Sequence, residues 1–205
     1  STVYKYAILD FILGYQFMTI VISGGTGLIG QAVNRYFVQQ GKATLIVSRN
    51  PDSWKKKHPN QACCSFGEIE NHQDKTNTPF EAIIHLSGAN IGRFPWTSAY
   101  KKTILSSRIE STALWVEWLL KKKENIPLLN ANAIGIYGPQ TPNENALPEP
   151  LEEDSPLGGS DFLSTVGKRW SKALDPLRQA NKPVTEMRFG IVMTREGGAL
   201  PQMAA

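Results

Sequence analysis

Cysteine is scarce in this 205-residue chain, and its two cysteines are neighbours, Cys63 and Cys64. Adjacent cysteines disfavour an ordinary structural disulfide, and a single such pair lacks the spacing of a metal-ligand set. We therefore predict neither a disulfide framework nor a metal site. Low cysteine usage favours a reducing compartment, and we expect the protein to be cytoplasmic.

The chain also lacks a long apolar run. The apolar residues 1–17 are interrupted by Lys5 and Asp10, are too short to span a bilayer and contain no small-residue cleavage site. We predict no membrane association and no targeting signal. Because Met18 resembles a natural start, residues 1–17 are interpreted as an N-terminal extension, with a packed extra helix as the alternative.

Neither sign of charge dominates. The chain has 22 Lys and Arg against 18 Asp and Glu, which gives a net charge of +4. The basic residues are dispersed apart from two short lysine runs, 55–57 and 121–123, and no recognition motif accompanies them, so we predict no nucleic-acid binding. With 41% hydrophobic and 20% charged residues, the chain can bury one sizeable core.

The most informative stretch is a glycine-rich turn between a strand and a helix. Residues 19–30 read TIVISGGTGLIG. Glycines let the backbone approach a pyrophosphate closely, and the N–H groups at a helix start supply hydrogen-bond donors for an anion. The pattern predicts a dinucleotide site whose contacts are Gly24, Gly25, Thr26, Gly27, Leu28, Ile29 and Gly30.

The flanking sequence supports this interpretation. Thr19 to Ser23 is β-branched and apolar, apolar residues then recur at helical spacing, and Gly41 closes the predicted helix. A second apolar run, Ala43 to Ser48, completes a β-α-β unit.

The end of the second strand predicts which dinucleotide binds. An acid there would contact the ribose 2′-hydroxyl of NAD, whereas an arginine would accept the 2′-phosphate of NADP. The chain has Ser48 and Arg49, with no Asp or Glu between Gly30 and Pro51. NADP is therefore favoured over NAD, with a solvated loop role for Arg49 as the alternative. The lysines at 55–57 either add to the positive electrostatic potential around the 2′-phosphate or are simply solvated.

Further elements follow in an alternating order. We predict a fourth strand over Ala82 to Gly88, a helix over Thr97 to Lys123, a fifth strand over Pro127 to Ile134, a helix over Phe162 to Lys172 and a sixth strand over Thr185 to Met193. Small residues at the end of the fourth strand would lie near the nicotinamide ribose, and His85 is interpreted as a packed core residue. The predicted cofactor contacts here are Leu86, Ser87, Gly88, Ala89 and Arg108.

Several segments together resemble one protein family. GGTGLIG, IIHLSGANI, WTSAYKKTILSSR, ANAIGIYG, DFLSTVGKRW and RFGIVMTREGGAL occur in the order seen in extended short-chain dehydrogenases/reductases. The similar subgroup comprises NAD(P)-dependent epimerase/dehydratase-like proteins, also called cell-division-inhibitor-like. The resemblance implies an α/β fold with a doubly wound parallel sheet, a Rossmann domain over 18–205. It also implies that most of a C-terminal substrate lobe is missing from this chain.

Active members of the superfamily carry a Tyr-x-x-x-Lys pair and an upstream serine, and this chain departs from that pattern. The predicted helix over Phe162 to Lys172 has no such pair, and Asn132 stands at the serine position. An amide can orient a substrate oxygen but does not titrate. The candidate catalytic residues are Asn132, Tyr137 and Lys168. The alternative role of Tyr137 is packing within the turn. The alternative for Lys168 and Arg169 is a solvent-facing position on the helix.

Two functional classes follow from the sequence. The first is an NADP-dependent oxidoreductase or epimerase acting on an unknown small molecule, and the second is a non-catalytic NADP-binding regulatory protein that lost the proton-transfer pair. Pro139 to Gly159 reads as an acidic loop that either orders with substrate or is merely solvated. Arg188 resembles the family's arginine near the cofactor, and homodimerisation is left open.

Overall fold

The computed structural model describes residues 18–92, 95–139 and 150–200. The predicted N-terminal extension, and Glu144 and Glu149 of the acidic loop, lie outside the described residues. The strands are β1 Thr19–Ser23, β2 Ala43–Val47, β3 Cys63–Cys64, β4 Phe80–His85, β5 Leu128–Ala133, β6 Val184–Phe189, β7 Met193–Thr194 and β8 Gly197–Gly198. The α-helices are α1 Leu28–Gln39, α2 Pro51–Lys57, α3 Ile69–Thr76, α4 Ser98–Lys121, α5 Phe162–Lys172 and α6 Asp175–Gln179.

The sheet confirms the predicted fold class. Six strands follow the order β3-β2-β1-β4-β5-β6. The chain therefore moves outward from β1 through β2 and β3 and then returns to the other side of β1 with β4, which is the doubly wound order. In such sheets the ligand crevice lies outside the carboxyl ends of the strands where the direction reverses, here β1 and β4.

The chain divides into two compact units, residues 1–86 with 126–128 and residues 87–125 with 129–205. In the first unit, β1 pairs in parallel with both β2 and β4, and every residue of β1 is buried. A strand covered on both faces is expected to be continuously apolar, as Ile20, Val21 and Ile22 are. The two-residue β3 was not predicted, because a pair of cysteines carries no periodic signal.

In the first unit, β4 begins two residues earlier than predicted and ends at His85. His85 is fully buried, which confirms its core assignment. Both cysteines of β3 are free and buried, as the absence of a disulfide framework predicts. Burial raises the pKa of the Cys64 thiol to about 11, so this thiol stays protonated near neutral pH.

In the second unit, α4 begins after Thr97, whose side chain accepts a hydrogen bond from the Tyr100 N–H. Trp115, Trp118 and Leu119 are buried in the core. The next residue, Leu120, is 41% exposed.

The sixth strand is shorter than predicted and stops at Phe189. Instead of continuing, Met193–Thr194 pairs antiparallel with Gly197–Gly198 in a separate hairpin. Gly198 has a φ of +78°, a left-handed conformation that glycine adopts without strain. The predicted end of the strand at Met193 is therefore wrong, because Met193 pairs with Gly198 in the hairpin.

Candidate cofactor-binding site

The glycine-rich loop joins β1 to α1 within the first unit. Gly24 has a φ of +79°, and its N–H donates to the Val47 carbonyl at 3.1 Å. The Gly27 N–H donates to the Gly24 carbonyl at 3.0 Å, and the Gln31 side-chain amide donates to the Thr26 carbonyl at 2.8 Å. These bonds hold the loop in its observed shape.

Helix α1 begins without a side-chain cap. Gly27 occupies the N-cap position and the first turn contains no acidic residue. The first helical bond runs from the Gln31 N–H to the Gly27 carbonyl at 2.9 Å. The N–H groups of Leu28, Ile29 and Gly30 therefore precede the helical ladder, where the positive end of the helix dipole favours an anion. A dinucleotide pyrophosphate fits this end of the helix.

Two of the glycines are required by close packing. A Cβ on Gly30 would overlap the Gly24 carbonyl oxygen and lie 2.6 Å from the Gly25 Cα. A Cβ on Gly25 would lie 2.9 Å from an Ile46 side-chain carbon and 3.0 Å from the Ile22 carbonyl oxygen. Any side chain at either position would push the loop out of its observed shape.

Ser48 and Arg49 follow directly after β2, in the first unit. The Ser48 N–H donates to the Cys64 carbonyl at 3.0 Å, and its hydroxyl accepts from the Asn50 N–H at 3.3 Å. Arg49 is exposed and makes no hydrogen bond or ion pair within the described part of the chain. Its guanidinium is therefore available to an anionic ligand. The lysines at 55–57 occupy the last turn of α2, where they complement the helix dipole.

The main segment of the first unit ends at Leu86, directly after β4, and the second unit begins at Ser87. In the first, the Leu86 N–H donates to the Ser23 carbonyl at 2.8 Å, which fixes the exit from β4 beside the end of β1. In the second, the Ala89 N–H donates to the Ser107 hydroxyl at 3.0 Å, and Arg108 Nη1 donates to the Ala89 carbonyl at 3.2 Å. Gly88 leaves room for this arginine, since a Cβ there would lie 3.1 Å from Arg108 Cζ.

Asn132 lies in β5 and is only 2% exposed. Its Nδ2 donates to the Gly167 carbonyl at 3.0 Å, and its Oδ1 accepts from the Ala133 N–H at 2.8 Å. The side chain thus ties β5 to α5. Gly167 permits this approach, because a Cβ there would lie 3.2 Å from Asn132 Oδ1. A role in orienting a substrate oxygen stays a prediction.

Tyr137 ends the 3-10 helix Ile134–Tyr137 that follows β5, and it is buried. Its hydroxyl donates to the Glu152 carbonyl at 2.9 Å and accepts a hydrogen bond from Arg188 Nη1. The guanidinium also lies over the tyrosine ring, with Cζ 5.1 Å from the ring centre. Glu186, two residues earlier on the same face of β6, accepts from Arg188 Nε at 3.0 Å.

Lys168 and Tyr137 have separate partners. The Lys168 ammonium donates to the Gly159 carbonyl at 2.6 Å, and no hydrogen bond joins it to Tyr137 within the described residues. Arg169 is exposed, as its solvent-facing alternative predicts. The cation beside Tyr137 is Arg188, which the sequence analysis did not pair with it. The alternation of Glu186 and Arg188 along β6 is the one sequence signal that points to their shared face.

A second network in the same unit was also missed. Trp170 Nε1 donates to the Thr112 hydroxyl at 2.9 Å, and this hydroxyl donates to Asn130 Oδ1 at 3.3 Å. All three side chains are buried, so these bonds satisfy polar groups that would otherwise be costly to bury.

The described residues contain no group of three His, Cys, Asp or Glu side chains arranged to hold a metal ion. Among the same residues, no helix combines the length and apolarity needed to cross a membrane.

Comparisons with known proteins identify relatives of this chain. Residues 20–160 match the profile of the NAD dependent epimerase/dehydratase family. Epimerase family protein YfhF of Bacillus subtilis is 34% identical over 189 residues, which are 91% of this chain and 58% of that protein. The chain thus spans a little over half the length of this curated relative.

Solved structures share the fold. Human epimerase family protein SDR39U1, isoform 2, solved with NADPH, superposes with a TM-score of 0.68 at 26% identity, covering 91% of this chain and 58% of that one. UDP-glucuronic acid 4-epimerase from Bacillus cereus, solved with NAD, has a TM-score of 0.66 at 10% identity, covering 89% of this chain and 60% of that one. The second likeness concerns the fold alone. Both the profile and the sequence relatives lead to the same conclusion: this chain belongs to the NAD dependent epimerase/dehydratase family.

Proposed function

We propose that residues 18–205 form the NAD(P)-binding Rossmann domain of an NADP(H)-dependent oxidoreductase or epimerase. The observation that carries the proposal is the glycine loop, with its uncapped helix start and a Gly30 that has no room for a side chain. These features suit a pyrophosphate held by backbone N–H groups. The predicted contacts at 86–89 and Arg108 belong to the same proposal.

Preference for NADP(H) over NAD(H) rests on Arg49. This guanidinium is exposed and unpaired among the described residues at the end of β2, where a 2′-phosphate is expected. The planar fork of an arginine suits a phosphate, which it contacts with two N–H groups. An acid at this position would repel that phosphate, and the loop has none between Gly30 and Pro51. The NADPH bound by human SDR39U1 supports the same preference.

When bound, the nicotinamide supplies or accepts a hydride at its C4 atom. The chain's own part is to hold the pyrophosphate on α1 and the 2′-phosphate on Arg49. Asn132, Tyr137 and Lys168 stay the candidate residues for orienting a substrate oxygen. For Tyr137 to do so, its hydroxyl would first exchange the Glu152 carbonyl for that oxygen, because its single proton is already donated.

The second candidate function is a non-catalytic NADP-binding regulatory protein. It is favoured by the contacts of Tyr137 and Lys168, which each donate to a different backbone carbonyl instead of forming a proton-transfer pair. Consumption of NADPH by the purified protein with a panel of aldehydes and ketones distinguishes the two functions. Turnover supports the enzyme, whereas tight NADPH binding without turnover supports the regulatory protein.

Substitution of Arg49 tests the cofactor preference. We expect Arg49→Gln to weaken NADPH binding at least about tenfold, or about 1.4 kcal/mol, and to leave NADH binding unchanged. Lys102→Gln on α4 is the matched control, because it removes one exposed positive charge to which no cofactor contact is assigned. Calorimetric titrations at one ionic strength provide the measurement, since a phosphate contact is screened by salt. Equal losses for both cofactors would contradict the role of Arg49.

A further inference from the structure

Residues 152–159, which we call the strap, are attached to the rest of the second unit through their backbone carbonyls. At the start of the strap, the Tyr137 hydroxyl donates to the Glu152 carbonyl at 2.9 Å, and Arg188 Nη1 donates to the Glu153 carbonyl. Both donors are side chains that lie outside the strap and far from each other in the sequence. The start of the strap is therefore held by long-range hydrogen bonds.

The end of the strap is held in the same way and is also closely packed. The Lys168 ammonium donates to the Gly159 carbonyl at 2.6 Å. A Cβ on Gly138 would lie 2.6 Å from the Gly159 nitrogen, and a Cβ on Gly158 would overlap the Tyr137 carbonyl oxygen. The backbone of the strap therefore lies directly against the turn that follows β5, with no room for a side chain between them.

The strap contributes little buried surface of its own. It contains no helix or strand, and Leu157, its one large apolar side chain, is 44% exposed. Most of its other side chains are also exposed, namely those of Glu152, Glu153, Asp154 and Pro156. Segments with few buried apolar contacts open at a lower free energy than the packed core. We therefore expect the strap to open without unfolding of the unit that carries it.

Attachment of the strap uses the hydrogen-bonding capacity of Tyr137. A phenol has one proton to donate, and Tyr137 gives it to the Glu152 carbonyl. The same hydroxyl accepts from Arg188, whose Nε donates to Glu186 Oε1 at 3.0 Å. Opening of the strap would free the Tyr137 proton, while the arginine, still bonded to Glu186, would keep the hydroxyl in place.

We propose that the strap is an autoinhibitory segment, which occupies the Tyr137 hydroxyl and must open before that hydroxyl can donate to a substrate oxygen. Lys168 is freed in the same step, because its ammonium holds the end of the strap. The proposal rests on the proposed function, since Tyr137 and Lys168 are the candidate residues for orienting the substrate there. A substrate oxygen competes with the Glu152 carbonyl for the same proton.

Acetylation of tyrosine hydroxyls by N-acetylimidazole, quantified by peptide mass spectrometry on the full chain, tests whether the strap covers Tyr137. In the wild-type chain we expect Tyr137 to react at least about tenfold more slowly than Tyr36, which is 58% exposed. Gly158→Ala should open the strap, because its Cβ overlaps the turn, and should accelerate acetylation of Tyr137 at least about tenfold while leaving Tyr36 unchanged. Gly135→Ala is the matched control, because its Cβ would make only an ordinary contact, 3.7 Å from Leu163 Cβ.

A second variant keeps this test open if Gly158→Ala does not fold. Lys168→Met removes the bond to the Gly159 carbonyl without adding volume, and it should also accelerate acetylation of Tyr137. Equal acetylation of Tyr36 and Tyr137 in the wild-type chain overturns the proposal before any variant is made. Acetylation of Tyr137 that stays slow in every variant that folds overturns it as well.

Consumption of NADPH with the panel of aldehydes and ketones tests whether the strap inhibits. We expect Gly158→Ala to turn over at least one carbonyl compound about tenfold faster than the wild-type chain, and Gly135→Ala to match the wild type. The gain should be lost in the double variant Gly158→Ala/Tyr137→Phe, and a gain that survives there refutes the role of the hydroxyl.

The remaining outcomes separate this proposal from the proposed function. Turnover that is unchanged, slower or absent in Gly158→Ala, while calorimetry shows that the variant binds NADPH, overturns the autoinhibitory strap alone. A wild-type chain that binds no NADPH contradicts the proposed function, and the strap proposal with it.

Discussion

Replacement of Gly30 by alanine tests the geometry of the glycine loop. The added Cβ would lie 2.6 Å from the Gly25 Cα, and both this atom and the overlapping Gly24 carbonyl belong to the backbone. Backbone cannot rotate away as a flexible side chain can. Overpacking of this kind costs typically about 1–3 kcal/mol. Alanine regains about 0.5–1 kcal/mol because it is a better helix former. We expect a net loss of about 0.5–2 kcal/mol in the free energy of unfolding.

The same shift would displace the N–H groups at the start of α1, so we expect NADPH binding to weaken at least about tenfold. Urea unfolding and calorimetric titration measure the two effects separately. Gly67→Ala is the matched control, because a Cβ there has no heavy atom within 4 Å. This control should be neutral or stabilising by up to about 1 kcal/mol. Wild-type stability and wild-type NADPH affinity in Gly30→Ala would refute the reasoning.

Two further predictions concern stability. Thr97→Ala removes the side chain that accepts the Tyr100 N–H at 3.2 Å, and we expect a loss of about 1 kcal/mol in urea unfolding, whereas Thr97→Ser should retain most of it. Burial lowers the pKa of His85 to about 3, below its ordinary value of 6.5. The unfolded chain therefore binds a proton that the folded chain excludes, and the free energy of unfolding should fall as pH drops from about 6.5 towards 3. His85 contributes up to about 1.4 kcal/mol per pH unit to this slope. In His85→Leu this contribution should disappear, and an unchanged slope would contradict the assignment.

The sequence was sufficient to predict the strands β1 and β2. The strand over Thr19–Ser23 is confirmed to the residue, because a parallel strand buried on both faces requires an apolar run and glycines mark where it ends. Helix α5 over Phe162–Lys172 also matches its prediction. Both elements depend on local patterns that a single stretch of sequence carries.

The partners of the candidate catalytic residues could not be predicted. Tyr137 and Arg188 are 51 residues apart, and their contact depends on where β6 lies beside the turn after β5. The search for a Tyr-x-x-x-Lys lysine in the helix over Phe162 to Lys172 led instead to Lys168. The ammonium of Lys168 donates to the Gly159 carbonyl. The buried Trp170 and Thr112, 58 residues apart, were missed for the same reason. Long-range pairing of polar groups leaves no periodic signal in the sequence.

Titration of the wild-type chain with NADPH and NADH at matched salt tests the central claim most directly. We predict that NADPH binds at least about tenfold more tightly than NADH, a difference of about 1.4 kcal/mol. That result supports the glycine loop as the pyrophosphate site and Arg49 as the contact for the 2′-phosphate. Binding of neither cofactor would contradict the account, because the loop geometry would then serve the fold alone.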